Sequence, residues 1–219
     1  MSDLQIKYVW EIPVRVTHWV TMISIVCLSI TGFLIGNPRT LASETTQFVM
    51  GWIRFIHFTF AYLFAVGLAV RLWWSIMGNQ YAGWRQFFPW TTKQGRERII
   101  DTLAYYSFLR KRVPHVVGHN PVASTIYTIL MGFYLMMIAT GFALYTEHRP
   151  GGFSWALFGW LTDFFPNQYL RLAHHLGMWF IIGFVFNHIY TVWLMDIKER
   201  GGIVSSMFSG YKTIEKETK

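Results

Sequence analysis

Charged side chains are missing from four long stretches of the chain, 16–38, 55–70, 120–146 and 172–195, and are crowded into the segments between them. A bilayer core of roughly 30 Å takes about 20 helical residues. The second stretch is short only because Arg71 interrupts an apolar run that continues to Met77. An arginine near a helix end can reach the headgroups along its own aliphatic stem. The pattern therefore predicts four membrane-spanning helices, at 16–37, 54–77, 121–146 and 172–195, in an all-α integral membrane four-helix bundle. One domain takes in the whole chain, 1–219, with a long loop at 78–120.

The connecting segments add detail. Pro13 is placed to open the first helix, and "TGFLIGNP" turns the chain at its far end. In the long loop, Ile99, Ile100, Leu103, Tyr106 and Leu109 recur among charges, as expected of a helix lying on the membrane face. "FSWALFGWLTDFFP" is apolar but too short to span, so it is expected at the interface. No internal repeat and no low-complexity tract stands out.

Composition agrees, with 53% hydrophobic, 19% aromatic and 14% charged residues. Fourteen of the Lys and Arg residues fall in the N-terminal segment, the long loop and the tail, against Arg39, Arg54, Arg149 and Arg171 on the other side. By the positive-inside rule both termini are expected in the cytoplasm. The net charge of +8 then follows from topology, and nucleic acid is not an expected partner. The first span is too long for a signal-peptide core and has no small-residue cleavage site, so it is expected to stay in place. Cys27 is the single cysteine, which excludes a disulfide, a covalently attached haem and an iron–sulfur cluster held by this chain.

Eight histidines carry the candidate chemistry. His115, His119 and His148 fall in polar segments. His18, His57, His174 or His175, and His188 fall within the spans, where an imidazole is costly unless something binds it. Sorted by depth, His57 and one of the adjacent pair lie near the outer face, and His18 and His188 lie nearer the cytoplasm. At about 100° per residue, fourteen residues from His174 to His188 return to within about 40° of one helix face, whereas thirteen from His175 leave the rings about 140° apart. His174 is therefore the expected partner of His57. The two levels are about 21 Å apart along the helix, which suits two cofactors and not two ligands of one metal. His18 is two residues into its apolar run and His188 about seven from the end of its own, a mismatch that tilt or an extended first helix would absorb.

Neutral imidazoles facing one another, with no thiolate or carboxylate beside them, fit axial haem ligation better than zinc. Iron with two such ligands has no free position, so it passes single electrons and does not bind oxygen. "RVTH", "RFIH" and "RLAH" put Arg15, Arg54 and Arg171 one turn from His18, His57 and His174, as candidate partners of haem propionates. Gly32, Gly141, Gly177 and Gly183 lie in the spans, where small residues allow close approach.

"EIPVRVTHWV", "RFIHFTFAYLF", "GHNPVA", "ATGFALYTEH" and "HHLGMWFIIGFVFNHIY" closely resemble the b-type cytochrome subunit of membrane-bound nickel–iron hydrogenases, over nearly the whole chain. The histidine pattern is shared with a wider di-haem cytochrome b group that includes formate dehydrogenase gamma subunits. The resemblance implies two non-covalent haem b groups, His18/His188 inner and His57/His174 outer, lying between the first, second and fourth spans. It implies the hydrogenase small iron–sulfur and large nickel–iron subunits as periplasmic partners, and membrane quinone as acceptor. The chain would then conduct electrons and not activate hydrogen itself. The alternatives are a stand-alone di-haem quinone oxidoreductase or the cytochrome subunit of another periplasmic dehydrogenase. Arg71, Trp73 and Trp74 border the inner leaflet as candidates for a quinone site. The sequence assigns no role to His175.

Overall fold

A computed structural model describes residues 4–38, 47–110, 121–148, 150–199 and 201–215. Four helices are long and apolar enough to cross a membrane: α1 (Ile12–Gly36), α2 (Val49–Met77), α4 (Pro121–Thr146) and α7 (Asn167–Glu199). Their large apolar side chains, among them Phe55, Trp73, Phe186 and Trp193, are exposed around the bundle, as a lipid-facing belt requires. Hydrophobicity all round a helix buries it in lipid, not in a protein core. The chain is an all-α integral membrane bundle with one small addition.

The addition is a two-stranded antiparallel ribbon, β1 (Leu4–Tyr8) with β2 (Tyr211–Glu215), in register from Leu4↔Glu215 to Tyr8↔Tyr211. It brings the two ends of the described chain together at one end of the bundle, hereafter the inner end. A short helix, α8 (Ile203–Ser209), leads into β2, and Gly210 reverses the chain with φ 88°, a left-handed value that favours glycine. Beneath the ribbon, Val9, Trp10, Val14 and Ala82 form a small core, with Trp74, Tyr81 and Met207 against it. Glu11 ties α1 to this cap, because its carboxylate accepts from Trp74 Nε1 and from the Asn79 backbone, each at 2.8 Å.

Three of the four spans begin earlier than predicted, while α4 begins where the sequence places it. α1 starts four residues before position 16, with Pro13 in its first turn, α2 five residues before 54, and α7 five before 172. Helical geometry carries on through the interface, where polar side chains are tolerated, so a charge-free run marks hydrocarbon and not helix length. The loop helix is α3 (Lys93–Tyr106), N-capped by Thr92, whose hydroxyl accepts from Gly95. Ile100, Leu103 and Leu109 are exposed there and Ile99 is half-buried, while the Tyr106 side chain lies outside the described residues. "FSWALFGWLTDFF" forms two short helices, α5 (Phe153–Phe158) and α6 (Trp160–Phe164), at the outer end. His115, His119 and residues 118–120 of "GHNP" lie outside the described residues, and Pro121 opens α4.

The spans pack as two helical hairpins, α1 with α2 and α4 with α7. Midway along the bundle, Ile25, Phe64, Leu130 and Ile181 meet in one buried layer, one residue from each spanning helix. This layer divides an inner from an outer half.

Candidate functional site

Each half of the bundle holds one pair of imidazoles. In the inner half the His18 and His188 ring centroids are 6.4 Å apart, with planes inclined at 53°. α1 begins early enough to bring His18 to the depth of His188, which removes the mismatch read from the apolar runs. His188 stacks on Phe184, one turn away, at 5.6 Å and 19°. Tyr127 of α4 meets His188 edge-on, with its hydroxyl 3.5 Å from Nδ1. Nδ1 of His18 is buried without a hydrogen-bond partner among the described residues.

In the outer half, His57 of α2 and His174 of α7 line one cavity of about 810 Å³. Each ring is held by a threonine–glycine step on the other helix of its hairpin. Thr31 Oγ1 lies 2.8 Å from Nδ1 of His57, and Thr140 Oγ1 lies 2.9 Å from Nδ1 of His174. The next residue in each case is a glycine. A β-carbon on Gly32 would stand 3.3 Å from Cε1 of His57, and one on Gly141 2.9 Å from Cε1 of His174. Ordinary carbon contacts are about 3.5–4.0 Å, so only glycine lets these rings lie against the helix backbone. Gly177 has a different task, receiving Met136 and Met137 of α4, and Gly183 has nothing within 4 Å of a built β-carbon.

The arginines divide by position. Arg54 and Arg171 line the outer cavity with His148 and His175, so one wall carries fixed positive charge. Arg171 also donates through Nε to the Asn167 side chain, and Asn167 donates to Glu147. Arg15 is at the inner end and donates to the Phe208 carbonyl of α8. Arg71 donates from both terminal nitrogens to the Ala82 carbonyl at 3.3 Å, with its guanidinium over the Phe87 ring at 4.9 Å.

His175 is exposed, and its ring packs edge-on to Trp179 at 6.4 Å, with Cε1 3.5 Å from where a Gly36 β-carbon would be. It is therefore on the wall of the same cavity beside the end of α1, while His174 points at α4.

The sequence offers only Gly141 of the third span as a candidate, for close approach, yet α4 also contributes Tyr127 to the inner half and Thr140 to the outer half. The signal was present in the sequence as "TGFLI" at 31–35 and "TGFAL" at 140–144. Thirteen residues before each threonine stand His18 and Tyr127, which face the inner site from the corresponding helices of the two hairpins. The repeat is three identical residues long, too short to stand out from an apolar background.

Residues 9–210 match the family model described as prokaryotic cytochrome b561. A protein of Cupriavidus necator called a probable Ni/Fe-hydrogenase B-type cytochrome subunit is 40% identical over 224 residues, covering 98% of this chain and 90% of its own. One of the same name from Bradyrhizobium diazoefficiens is 43% identical, covering 93% and 84%. The probable Ni/Fe-hydrogenase 1 B-type cytochrome subunit of Escherichia coli is 36% identical, covering 94% and 90%. With four spanning helices, imidazoles at two levels and this likeness along its length, the chain belongs to the prokaryotic cytochrome b561 family, and the relatives it matches are called probable Ni/Fe-hydrogenase B-type cytochrome subunits.

Proposed function

We propose that this chain is the membrane-anchoring subunit that carries electrons from the iron–sulfur chain of a periplasmic nickel–iron hydrogenase to membrane quinone, through two non-covalent haem b groups. The observation that carries this reading is the pairing of imidazoles at two depths on one face of α7. His188 is matched by His18 in the inner half, and His174 shares the outer cavity with His57.

The residues fit the group. In the inner half, two imidazoles from different helices with centroids 6.4 Å apart are a donor set that would hold a haem iron. At the outer level a cavity of about 810 Å³ is large enough for a planar macrocycle, and Arg54 and Arg171 offer it cations for propionate carboxylates. When bound, haem supplies reversible one-electron chemistry that no side chain here provides. The chain's own residues do the rest. His18, His57, His174 and His188 would hold the two iron sites, and Gly32 and Gly141 let the outer rings come close against α1 and α4. The layer of Ile25, Phe64, Leu130 and Ile181 keeps water out between the sites. The excess of Lys and Arg on the terminal side supports a multi-pass inner-membrane protein with cytoplasmic termini. The outer half then faces the periplasm and the hydrogenase, with α5 and α6 beside it.

The test is a reduced-minus-oxidised spectrum of purified protein with haem quantification. The expected result is two haem b per chain and co-purification of an iron–sulfur protein with a nickel–iron partner. A purified chain without b-type bands would sink the haem reading. Two haems with quinone reduction but no partner would replace it with a stand-alone oxidoreductase.

A further inference from the structure

We propose that Thr31 and Thr140 are positioning residues that fix His57 and His174 with the proton on Nδ1, leave Nε2 free to ligate, and make the outer pair the more strongly donating of the two. This rests on the reading of these histidines as haem ligands.

A threonine hydroxyl has one hydrogen to donate and lone pairs to accept with. Thr31 gives its hydrogen to the Cys27 carbonyl at 2.6 Å, and Thr140 gives its own to the Met136 carbonyl at 2.7 Å, each four residues back. Back-bonding of this kind is ordinary in helices, and Thr17, Thr59 and Thr128 do it here with no imidazole nitrogen bonded to the hydroxyl among the described residues. At Thr31 and Thr140 it has a second effect. With the hydroxyl hydrogen committed to a carbonyl, the oxygen facing the ring can only accept, so Nδ1 at 2.8 and 2.9 Å must donate. Nδ1 is then the protonated nitrogen and Nε2 carries the lone pair. Such a partner orients the ring and raises the ligand's basicity.

The inner pair lacks this device. Nδ1 of His18 has no partner among the described residues, and Nδ1 of His188 has only the Tyr127 hydroxyl at 3.5 Å, a distance too long for a good hydrogen bond. The same α1–α2 and α4–α7 hairpins build both sites, so the threonines distinguish one half from the other. A more basic ligand favours the oxidised metal, so losing the hydrogen bond raises the reduction potential of the site it supports.

The experiment uses the purified holoprotein and four variants, Thr31→Val, Thr140→Val, Thr31→Ser and Thr140→Ser. Haem per chain is measured, and both b-type components are titrated potentiometrically, with low-temperature electron paramagnetic resonance of the oxidised form. Valine keeps the shape and removes the hydroxyl acceptor, leaving His174 only its contact with the Met137 backbone carbonyl, while serine keeps the hydroxyl. In each valine variant one component is expected to shift to higher potential with altered resonance positions, the other to stay unchanged, and serine to restore the wild-type values. Loss of one haem with valine and its retention with serine would support the same assignment. Unchanged potentials in both valine variants at full haem content would overturn it, and so would equal effects of serine and valine. Wild-type protein with fewer than two haems would instead defeat the ligand reading itself.

Discussion

At Gly141 the backbone of α4 touches the His174 ring, and a β-carbon there would stand 2.9 Å from Cε1. Gly141→Ala must push the ring away from Thr140, and the expected outcome is loss of the outer haem alone, halving the haem per chain in a pyridine haemochrome assay. Gly132 of the same helix has nothing within 4 Å of a built β-carbon, so Gly132→Ala is the matched control and keeps both haems. The histidines give a second expectation at this scale. His57→Ala and His174→Ala each remove the same haem and His175→Ala removes none, as titration of the remaining component would reveal. These imidazoles were legible in the sequence because burying one in hydrocarbon is expensive, and because helical rotation separates His174 from His175. Thr31 and Thr140 were not legible. A threonine in a membrane helix satisfies itself on its own backbone, and only the packed hairpin brings its second lone pair against a ring.

Between residues and fold, helix ends decide whether the pairs meet. α1 extends back to Ile12 and is anchored there by Glu11, whose carboxylate accepts from Trp74 Nε1 of α2 and from the Asn79 backbone. Asn79 continues the network, donating to the Val9 carbonyl at 3.0 Å and accepting from Tyr81 and Ala82. Glu11→Ala leaves two donors without their acceptor, at a cost of about 1–3 kcal/mol, and a lower unfolding temperature in detergent is expected. Glu11→Gln keeps an acceptor oxygen and should lose less, and an equal loss would mean that charge, not acceptance, is what the cap uses. Charge-free runs located all four spans, and the α4 bounds agree with the predicted ones. The ends of α1 and α2 also fall within a residue of the predicted ones, whereas the starts of α1, α2 and α7, the end of α7 and the ribbon were out of reach. β1 and β2 are each five residues long and pair across more than 200 residues of sequence, so no local pattern announces them.

Taken as a whole, the molecule is two similar hairpins closed around an apolar partition. Ile25 is seven residues from His18, Phe64 seven from His57, and Ile181 seven from both His174 and His188. Two helical turns, about 10 Å, thus separate each imidazole level from the partition. Such a division has a direction only if the bundle has a fixed orientation, and the β1–β2 pairing makes a firm demand of any orientation: both ribbon strands lie on one side. Thiol labelling tests this directly, because Cys27 is the single native cysteine and can first be replaced by serine. In that background, Lys7→Cys and Ser209→Cys are expected to react with a membrane-impermeant maleimide only after spheroplasts are broken. Gly151→Cys and Phe165→Cys, at the other end, are expected to react in intact spheroplasts. Fully inverted labelling would reverse the orientation, move His57 and His174 to the cytoplasmic leaflet and remove the periplasmic partner from the reading. Labelling of Lys7→Cys and Ser209→Cys from opposite sides would contradict the ribbon itself, and with it the packing that brings His18 to His188.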